Sequence, residues 1–189
     1  MRIIGGRHRG TKLADLDGDK TRPTADRVRE NLFNILAGGN YGERLRDAHV
    51  LDLFSGTGAL GLEALSRGAS TACFVEKDHN AQSVLRANIA RLKRQDSCMV
   101  VSGNAMLLTG IRGYKANLVF ADAPYGTGDG LTAVVHMLTI GALTADALIV
   151  IETAKAETLD TEIIETHQLT CHESRAYGKA ALHFLSNTS

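Results

Sequence analysis

The stretch Asp122-Ala123-Pro124-Tyr125 follows directly on an apolar run, and its residue types could hold a flat nitrogenous ring. The Asp122 carboxylate and the Ala123 carbonyl are two acceptors able to hold an exocyclic amine and align its delocalised lone pair. Pro124 favours an extended backbone at Ala123, which fixes the direction of that carbonyl. Tyr125 offers an aromatic face for stacking, worth roughly 1 to 3 kcal/mol. The stretch predicts a site that positions a ring amine, and a strand-ending proline turn is the structural alternative.

A glycine-rich turn earlier in the chain predicts a cofactor site. Residues 56–61 match the GxGxxG pattern of dinucleotide folds, in which glycines let a ligand approach the backbone closely. Asp52 and Ser55 precede the turn, and an acid there would repel a pyrophosphate but could pair with the α-ammonium group of S-adenosylmethionine. The turn therefore favours S-adenosylmethionine as the cofactor, a methyl donor for the amine. We expect this group of residues to contact it: Asp52, Ser55, Gly56, Thr57 and Gly58.

Polar residues after the next two strand-like segments extend this predicted site. Glu76 lies 24 residues after Asp52, close to the position where an acid binds ribose hydroxyls in related folds. Asn104 could bind the adenine edge with its side-chain amide, although an ordinary turn asparagine is the alternative. The neighbouring Lys77 and Ala105 are assigned to the same site.

Strand-like and helical segments alternate from residue 24 onward, which predicts a parallel sheet covered on both faces. The last two strand-like runs meet tightly around Tyr177 and Gly178, which predicts an antiparallel hairpin. Five parallel strands followed by a hairpin is the plan of Rossmann-like class I methyltransferases, with a mostly parallel seven-stranded sheet. The expected strands are 49–54, 70–77, 98–103, 116–122, 147–154, 167–178 and 179–187, and the expected helices are 24–39, 59–68, 79–95 and about 130–141.

Composition limits the possible classes of protein. The chain has 189 residues, of which 44% are hydrophobic and 22% charged, as expected for one globular domain. It has no apolar run near the roughly 20 residues of a membrane span and no signal-like N-terminus, so a cytoplasmic protein is expected. The cysteines (Cys73, Cys98 and Cys171) form no CxxC pair and the histidines no HxxxH pair, so we expect buried, inert thiols and no metal site.

The first part of the chain is locally basic. Residues 1–30 contain eight Lys or Arg and five Asp or Glu, a net charge of +3, and the remaining residues carry −3. A basic, glycine-spaced segment suits contact with RNA phosphates, whereas a solvated terminal extension is the alternative. We divide the chain into an extension, 1–22, and a catalytic domain, 23–189. The expected RNA contacts are Arg7, Arg9, Lys12, Arg22 and Arg27.

The chain resembles the bacterial 16S rRNA guanine-N2 methyltransferases along nearly its whole length. The resemblance rests on MRIIGGRHRGTKL, TRPTADRVRENLFNIL, LDLFSGTGALGLEALSRGA, FVEKD, DAPY and AYGKAAL. It implies methyl transfer from S-adenosylmethionine to N2 of guanine 966 of 16S rRNA, within an assembling or assembled 30S particle. It also implies a basic arm on rRNA, residues 22–24, including Thr24, beside the cofactor, and a monomeric enzyme.

Two residues depart from the family pattern D-P-P-Y and its adenine-binding aspartate. Ala123 replaces the first proline, which keeps the carbonyl but loosens the backbone and adds an N–H that needs a partner. Asn104 replaces the aspartate, which keeps an acceptor and removes a charge.

Three other functions remain open at this point. An N6-adenine or N4-cytosine DNA methyltransferase uses the same acid-x-Pro-aromatic turn, although the chain leaves little room for a domain that binds DNA sequence-specifically. A nicotinamide-dependent oxidoreductase would fit the GxGxxG match but not Asp52 or the hairpin. A non-catalytic RNA-binding protein would explain Ala123.

Overall fold

The computed structural model describes residues 1–16, 23–39, 41 and 43–187, with only the backbone of 23–25. Strands and helices alternate over most of this length, because apolar strand-like runs and amphipathic helical segments alternate in the sequence. The strands are β1 His49–Leu53, β2 Thr71–Glu76, β3 Cys98–Ser102, β4 Ala116–Asp122, β5 Leu143–Ala154, β6 Leu169–Tyr177 and β7 Ala180–Asn187. The helices are α1 Pro23–Ala37, α2 Ala59–Ser66, α3 His79–Arg91, α4 Asp129–Thr139 and α5 Thr161–Thr166.

The seven strands form one sheet in the order β3-β2-β1-β4-β5-β7-β6. β1 to β5 pair in parallel, whereas β7 pairs antiparallel with both β5 and β6. This confirms the predicted class I methyltransferase fold with its C-terminal hairpin. Because parallel strands end at one edge of the sheet, the carboxyl ends of β1, β2, β4 and β5 meet there, where open α/β folds bind ligands.

Two elements differ from the sequence prediction. β5 begins at Leu143 rather than at residue 147 and pairs with β4 from Ala116↔Leu143, with a register shift that polarity alone does not reveal. The helix α5 is only six residues long, and Asp160 caps it by accepting from the N–H groups of Glu162 and Ile163. A helix this short has too few turns to show an apolar periodicity.

Two apolar layers cover the sheet. The first packs α1, α2 and α3 on residues such as Phe33, Phe74 and Phe120, and the second packs α4 and α5 on the opposite face. Each fully buried large side chain contributes roughly 1.5 to 3 kcal/mol relative to an exposed one. Since side chains alternate along a strand, Asp122 follows Phe120 onto the face covered by α1 to α3.

Residues 1–16, which we call the N-terminal arm, pack against α2. The backbone N–H groups of Ile4 and Gly5 donate to the carboxylate of Glu63 at 2.7 and 2.8 Å. A Cβ at Gly6 would lie 1.9 Å from the carbonyl oxygen of Ser66, so only glycine lets the backbone approach α2 this closely. Ile3 of the arm is buried in the apolar layer of the domain. The described part of the extension is therefore docked on the domain.

The cysteine prediction is right for one residue and wrong for another. Cys73 is buried in β2, and burial raises its pKa to about 12. Cys98 is half-buried, whereas Cys171 is exposed on the edge strand β6, because an edge strand with one open face does not bury every apolar residue.

Among the residues that the structure describes, no helix is long and apolar enough to cross a membrane.

Candidate active site

Two adjoining cavities at the carboxyl edge of the sheet have Asp122 in their walls. The strand-end cavity has a volume of about 530 Å³ and is lined by Glu76, Asn104 and residues 122–125, among others. The arm cavity, about 380 Å³, is lined by the glycine turn, α1 and the N-terminal arm. Both cavities share Phe54, Asp122 and Glu152. A single ligand could therefore extend through both and pass beside Asp122.

Asp122 and Glu152 form a pair of neighbouring carboxyl groups. They are partners in the register of β4 and β5, so their side chains leave the sheet on the same face of adjacent strands, which lie about 4.8 Å apart. Asp122 is open to the cavity, yet protein surrounds it on most sides. Burial, and then the charge of Glu152, raise the pKa of Asp122 to about 7. The pKa of Glu152 is also raised by burial.

Tyr125 lies over the cavity with 49% of its surface exposed. Its hydroxyl donates to Oε1 of Glu152 at 2.7 Å. The next residue, Gly126, donates its backbone N–H to Oε2 of Glu157 at 2.9 Å. These contacts hold the turn that carries the exposed aromatic ring, as a stacking surface requires. Ala123 is buried one residue past the end of β4, where its carbonyl leaves the strand ladder.

Glu152 and Glu157 join the site from outside the motifs that predicted it. A signal for Glu152 is present, because it follows the apolar run 147–151 as Asp122 follows the apolar run of β4. Glu157 lies outside regular structure, and its contact with Gly126 follows from the packing of two loops. No motif in the sequence predicts that contact.

The glycines of the turn have two different functions. Gly56 has a φ of +53°, and a Cβ there would contact nothing within 4 Å, so its backbone is open toward the arm cavity. Thr57 lines the same cavity. Gly58 has a φ of +85° and begins α2, and a Cβ there would lie 2.4 Å from Cδ1 of Leu85. Gly58 thus serves the packing of α2 on α3, and it lines neither cavity. Its contact with the cofactor stays a prediction.

Asp52, which the sequence predicts to contact the cofactor, is buried below the glycine turn. It is only 1% exposed and lines neither cavity, and its Oδ2 accepts from the backbone N–H of Gly61 at 2.8 Å. Burial raises its pKa, opposed by the Gly61 hydrogen bond and helped by the charges of Asp122 and Glu76. This hydrogen bond joins the first turn of α2 to β1 and so fixes the glycine turn between them. The geometry therefore favours support of the turn over direct contact with a ligand.

Ser55 and Phe54 carry further signs of a ligand site. The hydroxyl of Ser55 is buried and has no hydrogen-bond partner among the described residues, although a buried polar group normally has one. Phe54 lines both cavities with a φ of +58°, a conformation that costs free energy in a bulky residue and that also occurs at ligand sites. A polar ligand at this turn would satisfy the Ser55 hydroxyl.

The residues predicted for the adenosine half line the strand-end cavity together: Glu76, Lys77, Asn104 and Ala105. Glu76 already accepts from the backbone N–H groups of Gly56 and Asp78 at 2.7 and 2.8 Å, which fixes its carboxylate for further acceptor contacts. Oδ1 of Asn104 accepts from the backbone N–H of Met106 at 3.0 Å. Asn104 is thus a turn residue whose amide nitrogen still has donors to offer.

The predicted RNA contacts that the structure describes are exposed. Arg7, Arg9 and Lys12 lie on the N-terminal arm, and Arg27 lies on α1. The predictions for Arg22 and for the side chain of Thr24 fall outside the described residues. Arg29, by contrast, is buried and donates to the carbonyl of Arg2 and to Asp26. Arg29 therefore joins α1 to the arm.

Comparison with known proteins shows the family of the chain. The family model described as "Conserved hypothetical protein 95" matches residues 1–186. The chain is 43% identical over 162 residues to ribosomal RNA small subunit methyltransferase D of Escherichia coli, covering 85% of this chain and 78% of the relative. It is 34% identical over 164 residues to the protein of the same name from Haemophilus influenzae, covering 85% and 82%.

Solved structures show the same fold. The Escherichia coli protein yhhF superposes with a TM-score of 0.81 at 36% identity, covering 100% of this chain and 98% of that one. SMU.776, solved with S-adenosylhomocysteine, has a TM-score of 0.63 at 14% identity over 85% of this chain and 48% of that one, which shows the fold alone. The chain belongs to the conserved hypothetical protein 95 family, together with the ribosomal RNA small subunit methyltransferases D.

Proposed function

We propose that the protein transfers the methyl group of S-adenosylmethionine to the exocyclic N2 amine of a guanine in 16S rRNA, guanine 966. The observation that carries the proposal is Asp122 at the end of β4, next to the Ala123 carbonyl and in the wall shared by the two cavities. The relatives named as small-subunit rRNA methyltransferases support rRNA as the substrate class.

The residues present fit S-adenosylmethionine. The buried, unpartnered hydroxyl of Ser55 and the open backbone of Gly56 suit its polar amino-acid end. The fixed carboxylate of Glu76 suits ribose hydroxyls, and the amide of Asn104 suits a ring nitrogen of adenine. When bound, this group supplies an electrophilic methyl carbon on a sulfonium centre. SMU.776, which shares the fold, was solved with the demethylated product.

The chain's own residues then position the amine. Asp122 and the Ala123 carbonyl accept hydrogen bonds from its two N–H groups, which directs the nitrogen lone pair away from them and toward the methyl carbon. Tyr125 stacks on the ring. With the cofactor bound, its methyl group would pass to this nitrogen with the sulfur as the leaving group, and Asp122 would take up the amine proton. The negative charge of Asp122 stabilises the positive charge that develops on nitrogen.

This mechanism predicts a rise of activity with pH. Asp122 must be deprotonated to supply the negative charge that stabilises the methylated nitrogen and to take up the amine proton, and burial and Glu152 raise its pKa to about 7. We therefore expect kcat/KM to fall about tenfold per pH unit below about pH 7 and to level off above it. Initial rates between about pH 5.5 and 9 measure this, with RNA integrity checked at each pH. A flat profile over this range would contradict a titrating Asp122.

We also propose that the N-terminal arm binds rRNA phosphates. The paired change Arg7→Ala and Arg9→Ala should weaken RNA binding and reduce the slope of log affinity against log salt by roughly 0.7 per lost contact. Filter binding at several salt concentrations gives the slope. The matched control is Arg112→Ala with Lys115→Ala, which removes two exposed charges from the segment before β4. These residues flank Tyr114, which packs on the face of the sheet opposite to the arm. Equal slopes for the two double variants would show that the arm makes no phosphate contacts and is only a solvated extension.

Mapping the methylated nucleotide tests the proposal as a whole. 16S rRNA and 30S particles from cells lacking the protein are incubated with the purified protein and labelled S-adenosylmethionine, and the modified nucleotide is identified by mass spectrometry. We expect N2-methylguanine at a single position, formed by the chain acting as a monomer. Label in adenine or cytosine of DNA, or no label, would overturn the proposal.

A further inference from the structure

Glu152 lies on the side of Asp122 that is away from the glycine turn. The sheet order places β4 between β1, which leads into the turn, and β5, which carries Glu152. An amine held at Asp122 and directed toward the turn therefore has the rest of its ring over β4 and β5. Glu152 lines the cavity there and contacts the hydroxyl of Tyr125, the predicted stacking residue.

The atom next to the amine distinguishes guanine from the other amine-bearing bases. In guanine the neighbouring ring atom N1 carries a hydrogen and is a donor. In adenine the neighbour N1, and in cytosine the neighbour N3, are acceptors. A carboxylate beside the amine site stabilises a donor and repels a lone pair. Two adjacent carboxylates thus match the donor edge of guanine.

We propose that Glu152 accepts a hydrogen bond from guanine N1–H while Asp122 holds the N2 amine, so that Glu152 determines the choice of base. This inference rests on the proposed function and names the residue behind its substrate specificity. Tyr125 donates to Oε1 of Glu152 at 2.7 Å, which leaves Oε2 for the base. In the described structure, Lys77 is the one basic residue that lines the strand-end cavity, and the other charged groups of its wall are carboxylates.

Protonation of Glu152 would reverse the preference. Burial raises the pKa of Glu152, opposed by the hydrogen bond from Tyr125. An incoming N1–H adds a second donor and so favours the charged form further. A protonated Glu152 would instead donate a hydrogen bond and select a base with an acceptor at N1. The two protonation states therefore predict opposite substrate preferences, which makes the proposal testable.

The experiment compares guanine with 2-aminopurine at the methylated position of the RNA. 2-Aminopurine has the same 2-amino group, but its N1 is an acceptor, and it carries no O6. The wild-type protein, Glu152→Gln and Asp129→Asn are each assayed with both RNAs for kcat/KM, and for affinity in the presence of S-adenosylhomocysteine. Asp129 is a matched control because it lines the same cavity from the start of α4.

We expect the wild-type protein to prefer guanine and Glu152→Gln to reduce that preference by about 10- to 100-fold. In the variant, Tyr125 donates to the amide oxygen, so the amide N–H group faces the base and suits an acceptor. The intrinsic reactivities of the two amines, and the missing O6, cancel when preferences are compared between proteins. Asp129→Asn should keep the wild-type preference within about twofold, and Glu152→Asp should keep preferring guanine.

The outcomes separate the two proposals. An unchanged preference in a folded Glu152→Gln variant, judged by circular dichroism, overturns the role of Glu152, as does a wild-type preference for 2-aminopurine. Either result leaves methylation of guanine intact. Absence of methylation on guanine RNA by the wild-type protein overturns the proposed function itself.

Discussion

Replacing Asp122 with alanine is expected to lower kcat by about 100- to 1,000-fold, the usual loss when one charge-stabilising group is removed at a reacting atom. The variant loses the acceptor that aligns the amine and the negative charge that stabilises the methylated nitrogen. The affinity for S-adenosylmethionine should change by less than about threefold, because Ser55, Gly56 and Glu76 hold the predicted cofactor site from other strands. Single-turnover rates and calorimetry with S-adenosylhomocysteine measure the two effects separately.

Two further variants sharpen this prediction. Asp122→Asn keeps one acceptor oxygen but lacks the charge, so its rate should lie between those of the wild-type protein and the alanine variant. Asp129→Ala removes another carboxylate from the wall of the same cavity and serves as the matched control. Full activity of Asp122→Ala would exclude Asp122 from the chemistry. A large loss of S-adenosylhomocysteine binding would instead make it a cofactor ligand.

Local sequence predicted the parts of this site that depend on a single strand end. Asp122 and Glu76 each follow an apolar run, and the end of a parallel strand at the ligand edge is a consequence of the fold class. The alternation of strands and helices likewise predicted β1 to β4 within a few residues. These features depend on periodicity within one segment, which is visible in the sequence.

The remaining features depend on which segments become neighbours. Glu152 joins the site because β5 pairs with β4 in the register Asp122↔Glu152, and that register is not encoded in either strand alone. The contact of Asp52 with a ligand stays a prediction. In the structure its buried carboxylate accepts from the N–H of Gly61 because α2 approaches β1 closely. A side chain that lines a cavity and one that is buried beneath it have the same sequence pattern. Only the packing of the following helix determines which of the two positions the side chain takes.

The docked position of the N-terminal arm also could not be predicted from its net charge. Its net charge suggested either phosphate contact or a solvated extension, and neither possibility required it to be part of the core. The deciding residue is Glu63, an acid in the apolar helix α2, which is 0% exposed. A buried acid needs partners to offset the loss of its hydration. The arm supplies two of these partners as backbone N–H groups, and the amino-acid composition gives no information about such backbone contacts.

Replacing Glu63 with alanine is expected to lower the free energy of unfolding by about 3 to 5 kcal/mol, as observed when one partner of a buried ion pair is removed. The change leaves Arg67, whose Nε lies 2.7 Å from Oε1 of Glu63, without its charge partner. It also leaves the N–H groups of Ile4 and Gly5 unpaired at the surface of α2. Urea unfolding measures the loss, and faster hydrogen exchange at these two amides would show that the arm has undocked.

Glu63→Gln is the matched control, since the glutamine oxygen can still accept from the arm while the charge is lost, so its destabilisation should be smaller. Because undocking releases Arg7 and Arg9 from their fixed positions, Glu63→Ala should also weaken RNA binding. The Arg7 and Arg9 alanine variant should do so without any change in stability, because both side chains are exposed. A loss below about 1 kcal/mol in Glu63→Ala would mean that Glu63 does not hold the arm. The apolar contacts of Ile3 and Leu13 and the hydrogen bonds of the arm to Ser66 and Asn88 would then stabilise its docked position.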